Sequence, residues 1–306
     1  MDTDSSLKLT CRIEQAIRDV FDTIDVPDSP PLLRRAMRYA VFPGGGRMRP
    51  RLLLSVAVAC GDRHPEAADG AATALELLHC ASLVHDDLPT FDDALSRRGK
   101  AAVHRAFGEQ IAVLTGDALI VLAFESLVHH GHGAPGILAD LTRTIGRGVG
   151  AAAGIVAGQA WESEPQIDIR AYHRAKTGAL FEAAVAAGAI AGGGDPAVWA
   201  PLGSAFGEAY QVADDIADVR GDAARLGKDG GQDRARGRPN AALELGVQGA
   251  AQRLGDLLRS AMVSIPPGPA QAALRRWIAG AIDHFLPPEL SRPIQNELVD
   301  VAEAGP

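Results

Sequence analysis

Strand signals are nearly absent from this sequence, which argues against a sheet-based architecture. Cysteine is scarce and odd in number: Cys11, Cys60 and Cys80 are dispersed. That pattern excludes a disulfide framework and points to a reducing cytoplasmic compartment. No uninterrupted apolar run approaches the roughly 18 residues of a membrane span, and the run from Ala118 to Phe124 stops at Glu125, so no span is expected. The opening Met-Asp-Thr-Asp-Ser-Ser is acidic and polar, unlike a signal peptide. A basic stripe is also missing: the net charge is −8, and single Arg and Lys residues stand beside acidic motifs, which argues against a nucleic-acid partner. The length of 306 residues admits one large domain or two smaller ones. Without a compositional break, repeat or low-complexity tract, one domain over 1–306 is expected.

What is present is helix. Ala- and Leu-rich segments with apolar residues three or four apart recur between Gly and Pro breaks, so the chain reads as all-α. Leu9, Ile13, Ile17 and Phe21 share one face of a first helix that ends before Pro27. A helix over 32–39 precedes the loop Val41-Phe-Pro-Gly-Gly-Gly-Arg-Met-Arg-Pro50. Its three glycines allow close backbone approach to an anion, and its two guanidinium groups could reach one; the same residues also make an ordinary turn. Further helices are expected over 66–87, around 117–125, from Lys176, around 202–218, over 241–264 and over 270–286, with a loop at 162–168.

The helix over 66–87 ends in an unusual concentration of charge: Asp86, Asp87, Asp92 and Asp93 within eight residues, followed by Arg97, Arg98 and Lys100. Pro89 disfavours helical geometry at Leu88 and removes an N–H, so the helix stops near Asp87. Carboxylates at a helix C-terminus are unfavourable by a few tenths to about 1 kcal/mol each. A divalent cation removes that difficulty, and oxygen ligands without a Cys/His set suit Mg²⁺. Alone, this motif would read as a solvated acidic loop. A second acidic cluster, Gln211-Val-Ala-Asp214-Asp215-Ile-Ala-Asp218, lies 122 residues beyond Asp92. Leu202, Phe206, Ala209, Ala213 and Ile216 form the apolar stripe of that helix, and Gln211, Asp214, Asp215 and Asp218 fall within about 100° on the other side. A solvated stripe gains about 0.2–0.5 kcal/mol from each i,i+4 pair of opposite sign, yet this one has no base before Arg220. Asp214 and Asp218, one turn apart, are spaced to share a cation. His79 lies on nearly the face of Asp86, about 10.5 Å away along the axis, with Ser82 between and Ala81 further round. Two acidic sets with scattered Arg and Lys suit a ligand that is metal-bridged and multiply anionic, and diphosphate fits. The implied chemistry is metal-assisted departure of diphosphate.

These motifs resemble those of the trans-isoprenyl diphosphate (polyprenyl) synthases over nearly the whole chain. Gly44-Gly-Gly-Arg-Met-Arg-Pro50 resembles the family's GGKRxRP loop, Asp86-Asp-Leu-Pro-Thr-Phe-Asp92 its first aspartate-rich motif, and Arg97-Arg-Gly-Lys100 the RRGK that follows. Gly158-Gln159, Lys176-Thr-Gly178 and Gln211 to Asp218 match the remaining signatures in order. Phe42-Pro-Gly-Gly and Gly158-Gln-Ala-Trp-Glu-Ser-Glu164 are similar to the geranylgeranyl diphosphate synthases of bacterial carotenoid and bacteriochlorophyll pathways. The resemblance implies a single helical bundle around a deep cavity, usually homodimeric, that joins isopentenyl diphosphate head-to-tail to an allylic diphosphate. By that resemblance Asp86, Asp92 and Asp214 would hold three Mg²⁺ on the allylic diphosphate, with Asp87, Asp215 and Asp218 in support. Arg97, Lys176, Lys228 and Arg238 would grip the same group, and Arg49, His79 and Arg98 would hold isopentenyl diphosphate. Thr177 and Gln211 would flank the carbocation.

Gly46 departs from the pattern, since most of the family has a lysine there; Arg47 or Arg49 is expected to cover the loss. Nothing bulky stands at Ala81 or Ser82, so growth to C20 is expected, with a floor at Leu78 or the 118–124 helix. A farnesyl or longer-chain synthase, a class I terpene cyclase and a non-catalytic partner subunit are the alternatives. A cyclase typically carries an Asn/Ser/Glu second metal motif, and a silent subunit would be expected to lose acids from one motif; this chain keeps both acidic sets.

Overall fold

In the computed structural model the described residues are 3–42, 45–221, 240–268 and 270–303, and they are almost entirely helical. Helix α1 (Thr3–Thr23) buries Leu9, Ile13, Ile17 and Phe21, the face that the spacing predicts. It is followed by α2 (Pro31–Val41), α3 (Met48–Ala59) and α4 (Pro65–Asp86). The α4 helix ends where Pro89 requires: Leu88 N–H turns back onto the His85 carbonyl at 3.1 Å. A two-residue hairpin, β1 (Ser96–Arg97) with β2 (Lys100–Ala101), then reverses the chain. Its turn places Arg98 (φ +52) and Gly99 (φ +74) in the left-handed region, as tight hairpins demand.

Short α5 (Val103–Phe107), long α6 (Glu109–Gly131), α7 (Pro135–Val149) and α8 (Ile155–Trp161) follow. Next, α9 (Ile169–His173), capped by the Asp168 carboxylate at Ala171 N–H, runs through one π turn (Arg174–Gly178) into α10 (Ala179–Gly192). The expected helix start at Lys176 is therefore a widened turn inside a continuous helix. Helix α11 (Pro196–Arg220) buries the whole predicted stripe Leu202, Phe206, Ala209, Ala213 and Ile216. It ends at Gly221, at φ +67, a common left-handed stop. After the undescribed segment come α12 (Ala241–Val263), α13 (Gln271–Phe285) and α14 (Pro288–Glu303). The sequence reading ends its helices near residue 286; α14 forms because Pro288 occupies the first helical position, where its missing N–H costs nothing.

Two apolar clusters share α3 as a partition: Leu52 and Val56 face one, while Leu53, Leu54 and Ala57 face the other. Helix α6 is long and apolar enough to cross a membrane by length and composition, but 44% of that stretch is buried inside the fold. Leu119, Leu122, Ala123 and Leu127 of α6 join the cluster that holds Leu75, Leu78 and Ala81 of α4. The face turned away carries Val113, Leu114, Val121 and Val128, all exposed.

Candidate active site

The first acidic motif folds back on itself. Asp92 N–H donates to the Asp86 carbonyl at 2.9 Å and Ala94 N–H to the Asp87 carbonyl at 3.1 Å, so the two ends of the motif stand together beyond the α4 terminus. Asp86 and Asp92 are partly exposed, whereas Asp87 is buried. The Asp87 carboxylate is gripped by Arg97, whose Nε lies 3.0 Å from Oδ1 and 3.2 Å from Oδ2 and whose Nη2 lies 2.5 Å from Oδ1. Asp87 therefore holds Arg97, and with it the hairpin, against the end of α4.

The second motif divides the same way. Asp214 is partly exposed, while Asp215 and Asp218 are buried. Asp215 Oδ1 accepts from Gln211 Nε2 at 2.8 Å and Oδ2 accepts from Ala241 N–H at 2.8 Å, at the start of α12. Asp215 thus ties α11 to α12. Gln211, oriented by that bond, takes a hydrogen bond from Thr177 at 2.5 Å through Oε1. The π turn is what brings Thr177 to α11.

Lys176 on the same turn is ion-paired with Glu162, which also accepts from Tyr172 at 2.9 Å and Gln159 at 3.3 Å. Glu162 is a site residue the sequence reading leaves in a loop; its signal was position, one turn after Gly158-Gln159. Gly158 has its own reason: a Cβ there would lie 2.5 Å from the Lys176 backbone.

The cationic side of the site gathers around His79. Burial pushes the imidazole well below its ordinary value, and Arg49, Arg98, Arg97 and Arg47 push it further, so it stands neutral amid positive charge. Arg49 is 8% exposed, stacked at 4.5 Å on Phe181 and 5.2 Å on Tyr210. Tyr210 links this side to the second acidic motif. Asp214 raises its pKa first and burial second, while Arg49 and Arg98 oppose both. Arg49, stacked on Tyr210, thus lies against α11, the helix that carries Asp214.

Arg47 does not join them. Its guanidinium turns into the core, bonding Glu76 at 2.6 Å, Glu14 at 2.8 Å and the Val41 carbonyl at 3.1 Å. Arg47 is thus committed inside the fold and not to the place of the missing lysine. Among the described residues a Cβ on Gly46 would meet only Met48 Cγ, at 3.6 Å. Ala81 is buried, and Ser82 is partly exposed with its hydroxyl bonded to the His79 carbonyl at 2.8 Å. Lys228 and Arg238 lie outside the described residues.

The donor set suits a hard cation: Asp86, Asp92 and Asp214 offer oxygen alone, from carboxylates within reach of solvent. Among the described residues no three His, Cys, Asp or Glu side chains converge on a ready-made cluster. An ion here would complete its shell with water and a phosphate ligand, as Mg²⁺ commonly does.

Residues 30–264 match the family described as polyprenyl synthetase. The chain is 51% identical over 280 residues to a geranylgeranyl diphosphate synthase of Cereibacter sphaeroides, covering 92% of this chain and 97% of that one. It is 49% identical over 272 residues to a geranylgeranyl diphosphate synthase of Rhodobacter capsulatus, covering 89% and 94%. Among solved structures it is similar to an FPP/GFPP synthase from Zymomonas mobilis, with a TM-score of 0.73 and 31% identity over 88% of this chain and 96% of that one. With the motif order, the helical architecture and these likenesses in agreement, the chain belongs to the polyprenyl synthetase family.

Proposed function

We propose that this chain is a Mg²⁺-dependent prenyltransferase that condenses isopentenyl diphosphate with an allylic diphosphate and releases geranylgeranyl diphosphate, C20. The observation that carries the reading is the stacking of Arg49 of the cationic set, at 5.2 Å, on Tyr210 of α11, one helical turn before Asp214 of the second acidic motif. Mg²⁺ held by Asp86, Asp92 and Asp214 would neutralise the allylic diphosphate and take up the charge that develops as it leaves.

The chain's own residues divide the remaining work. Arg49, His79 and Arg98 hold the isopentenyl diphosphate, and neutral His79 donates one hydrogen bond without adding charge. Lys176, and in the undescribed segment Lys228 and Arg238, meet the allylic diphosphate. Thr177 Oγ1 and Gln211 Oε1 present oxygen dipoles to the cation formed on the allylic carbon, in an orientation fixed by Asp215. The departing diphosphate takes the final proton. Small residues at Ala81 and Ser82 support growth past three isoprene units.

The reading extends to a single domain, a homodimer and a cytoplasmic enzyme. The shared α3 partition supports the first, the exposed apolar face of α6 the second, and three unpaired thiols the third. The test is incubation with Mg²⁺, isopentenyl diphosphate and farnesyl diphosphate, with product length read by chromatography. A C20 product is expected. No condensation would sink the reading in favour of a non-catalytic subunit, and a cyclised hydrocarbon would sink it in favour of a cyclase.

A further inference from the structure

Arg47 and Glu76 form an ion pair in the core, with 3% and 2% of their side chains exposed. Such a pair contributes little net stability, because desolvating two charges offsets most of their attraction. What it does well is fix geometry, and this one is elaborately fixed. Arg47 stands in the left-handed region at φ +48, and its guanidinium is held at once by Glu76, Glu14 and the Val41 carbonyl. Burial lowers its pKa, but Glu76 and Glu14 more than restore it, so the charge persists.

Glu76 also faces a second arginine. The same Oε1 that takes Arg47 lies 4.0 Å from Arg98 Nη2. Around Arg98 the fit is close: Cys80 Sγ lies 4.0 Å from Nη1, and a Cβ on Gly45 would come within 2.9 Å of the guanidinium carbon. Glu76 stands one helical turn before His79 on α4, so pair and imidazole share a rigid frame. Glu14 lies on α1, ahead of the residues that the family description matches.

We propose that Glu76 is a positioning residue: anchored by Arg47, its carboxylate sets where the Arg98 guanidinium stands beside His79, and so sets the affinity for the diphosphate of the isopentenyl substrate. The inference rests on the reading that Arg98 and His79 hold that group. Glu76 itself touches no substrate; α1 takes part through the Glu14–Arg47 bond.

The double variant Arg47→Met/Glu76→Met replaces the pair by apolar side chains of similar length, a change that buried pairs tolerate. With each substrate varied in turn, the KM for isopentenyl diphosphate is expected to rise about 10-fold, while the KM for the allylic diphosphate and the melting temperature hold. A role confined to stability would move the melting temperature and leave both KM values alone, which overturns the proposal. Should the double variant fail to fold, Glu76→Gln keeps the shape and one accepting oxygen, and the same selective rise is expected; an unchanged KM there is equally fatal. Arg98→Ala separates the two levels. If it leaves the isopentenyl KM unchanged, the reading of Arg98 is wrong. If it raises that KM and the Glu76 variants do not, the positioning role alone is wrong.

Discussion

Gly158→Ala probes whether the close approach of α8 to the π turn is what aims Lys176 and Thr177. An added Cβ would stand 2.5 Å from both the Cα and the N of Lys176 and 2.8 Å from its Cβ. Carbon atoms at their preferred separation are about 3.5–4.0 Å apart, so the two segments must part by roughly 1 Å. Overpacking of this kind costs about 1–3 kcal/mol. Alanine recovers up to about 1 kcal/mol of helix propensity over glycine, which leaves a modest net loss of roughly 0–2 kcal/mol. The effect on turnover is expected to be larger, because misplacing a catalytic group by about 1 Å can cost ~10²-fold. The assay pairs urea unfolding with kcat on the same preparation. Gly146→Ala on α7, where nothing lies within 4 Å of the new methyl, is the control and should gain about 0.5–1 kcal/mol with turnover intact. A Gly158→Ala protein as stable and as fast as the parent would refute the reasoning.

Asp87→Asn strips the charge partner from Arg97 in a site where Asp87 is 1% exposed, and a destabilisation of about 3–5 kcal/mol is expected in a denaturant titration. Ser82→Phe places a ring on the partly open face of α4 below Asp86 and should shift the product from C20 toward C15; unchanged product length would remove that wall. Gly46→Lys restores a cation where there is room for one, and with Arg47 committed elsewhere the KM for isopentenyl diphosphate should fall about 10-fold, the worth of one charge-assisted hydrogen bond. His79 gives a pH signature. Its folded-state pKa is held well below the ordinary 6.5 by burial and then by the arginines, so the unfolded chain binds its proton first as pH falls. That stability is complete above about pH 6.5 and drains away below it, by up to about 1.4 kcal/mol at pH 5.5. His79→Gln should show the smaller loss between pH 7.5 and 5.5; equal losses in both proteins would contradict the assigned shift.

Much of this site was legible because short-range rules govern it. Pro89 stops α4 at the residues whose charge then needs a cation, and a period of 3.6 residues puts five apolar side chains of α11 inward. Arg47 and Arg49 show where such rules end. They are two residues apart and chemically alike, yet one enters the core and the other stacks on Phe181 at the site. That choice turns on a left-handed φ at Arg47 and on Glu14, 33 residues away, so no local pattern announces it. Glu76 did leave a trace, as a lone acid in the apolar run Leu75-Glu-Leu-Leu78, where a buried carboxylate demands a partner.

The doubled aspartates carry a more general point. On a helix, neighbouring residues point about 100° apart, so the two members of an Asp-Asp pair cannot serve one ligand equally. In both motifs the first member, Asp86 or Asp214, remains partly exposed, and the second, Asp87 or Asp215, is buried. Asp87 locks Arg97 and the hairpin behind it, while Asp215 locks Gln211 and the start of α12. A carboxylate that binds a cation reversibly must stay within reach of solvent, and on a helix terminus it needs its backbone held still while the ion comes and goes. The adjacent buried aspartate supplies that hold from inside the fold. On this argument Asp214→Asn and Asp215→Asn fail differently: the first loses Mg²⁺-dependent turnover in a protein of normal stability, and the second loses stability before it loses its metal.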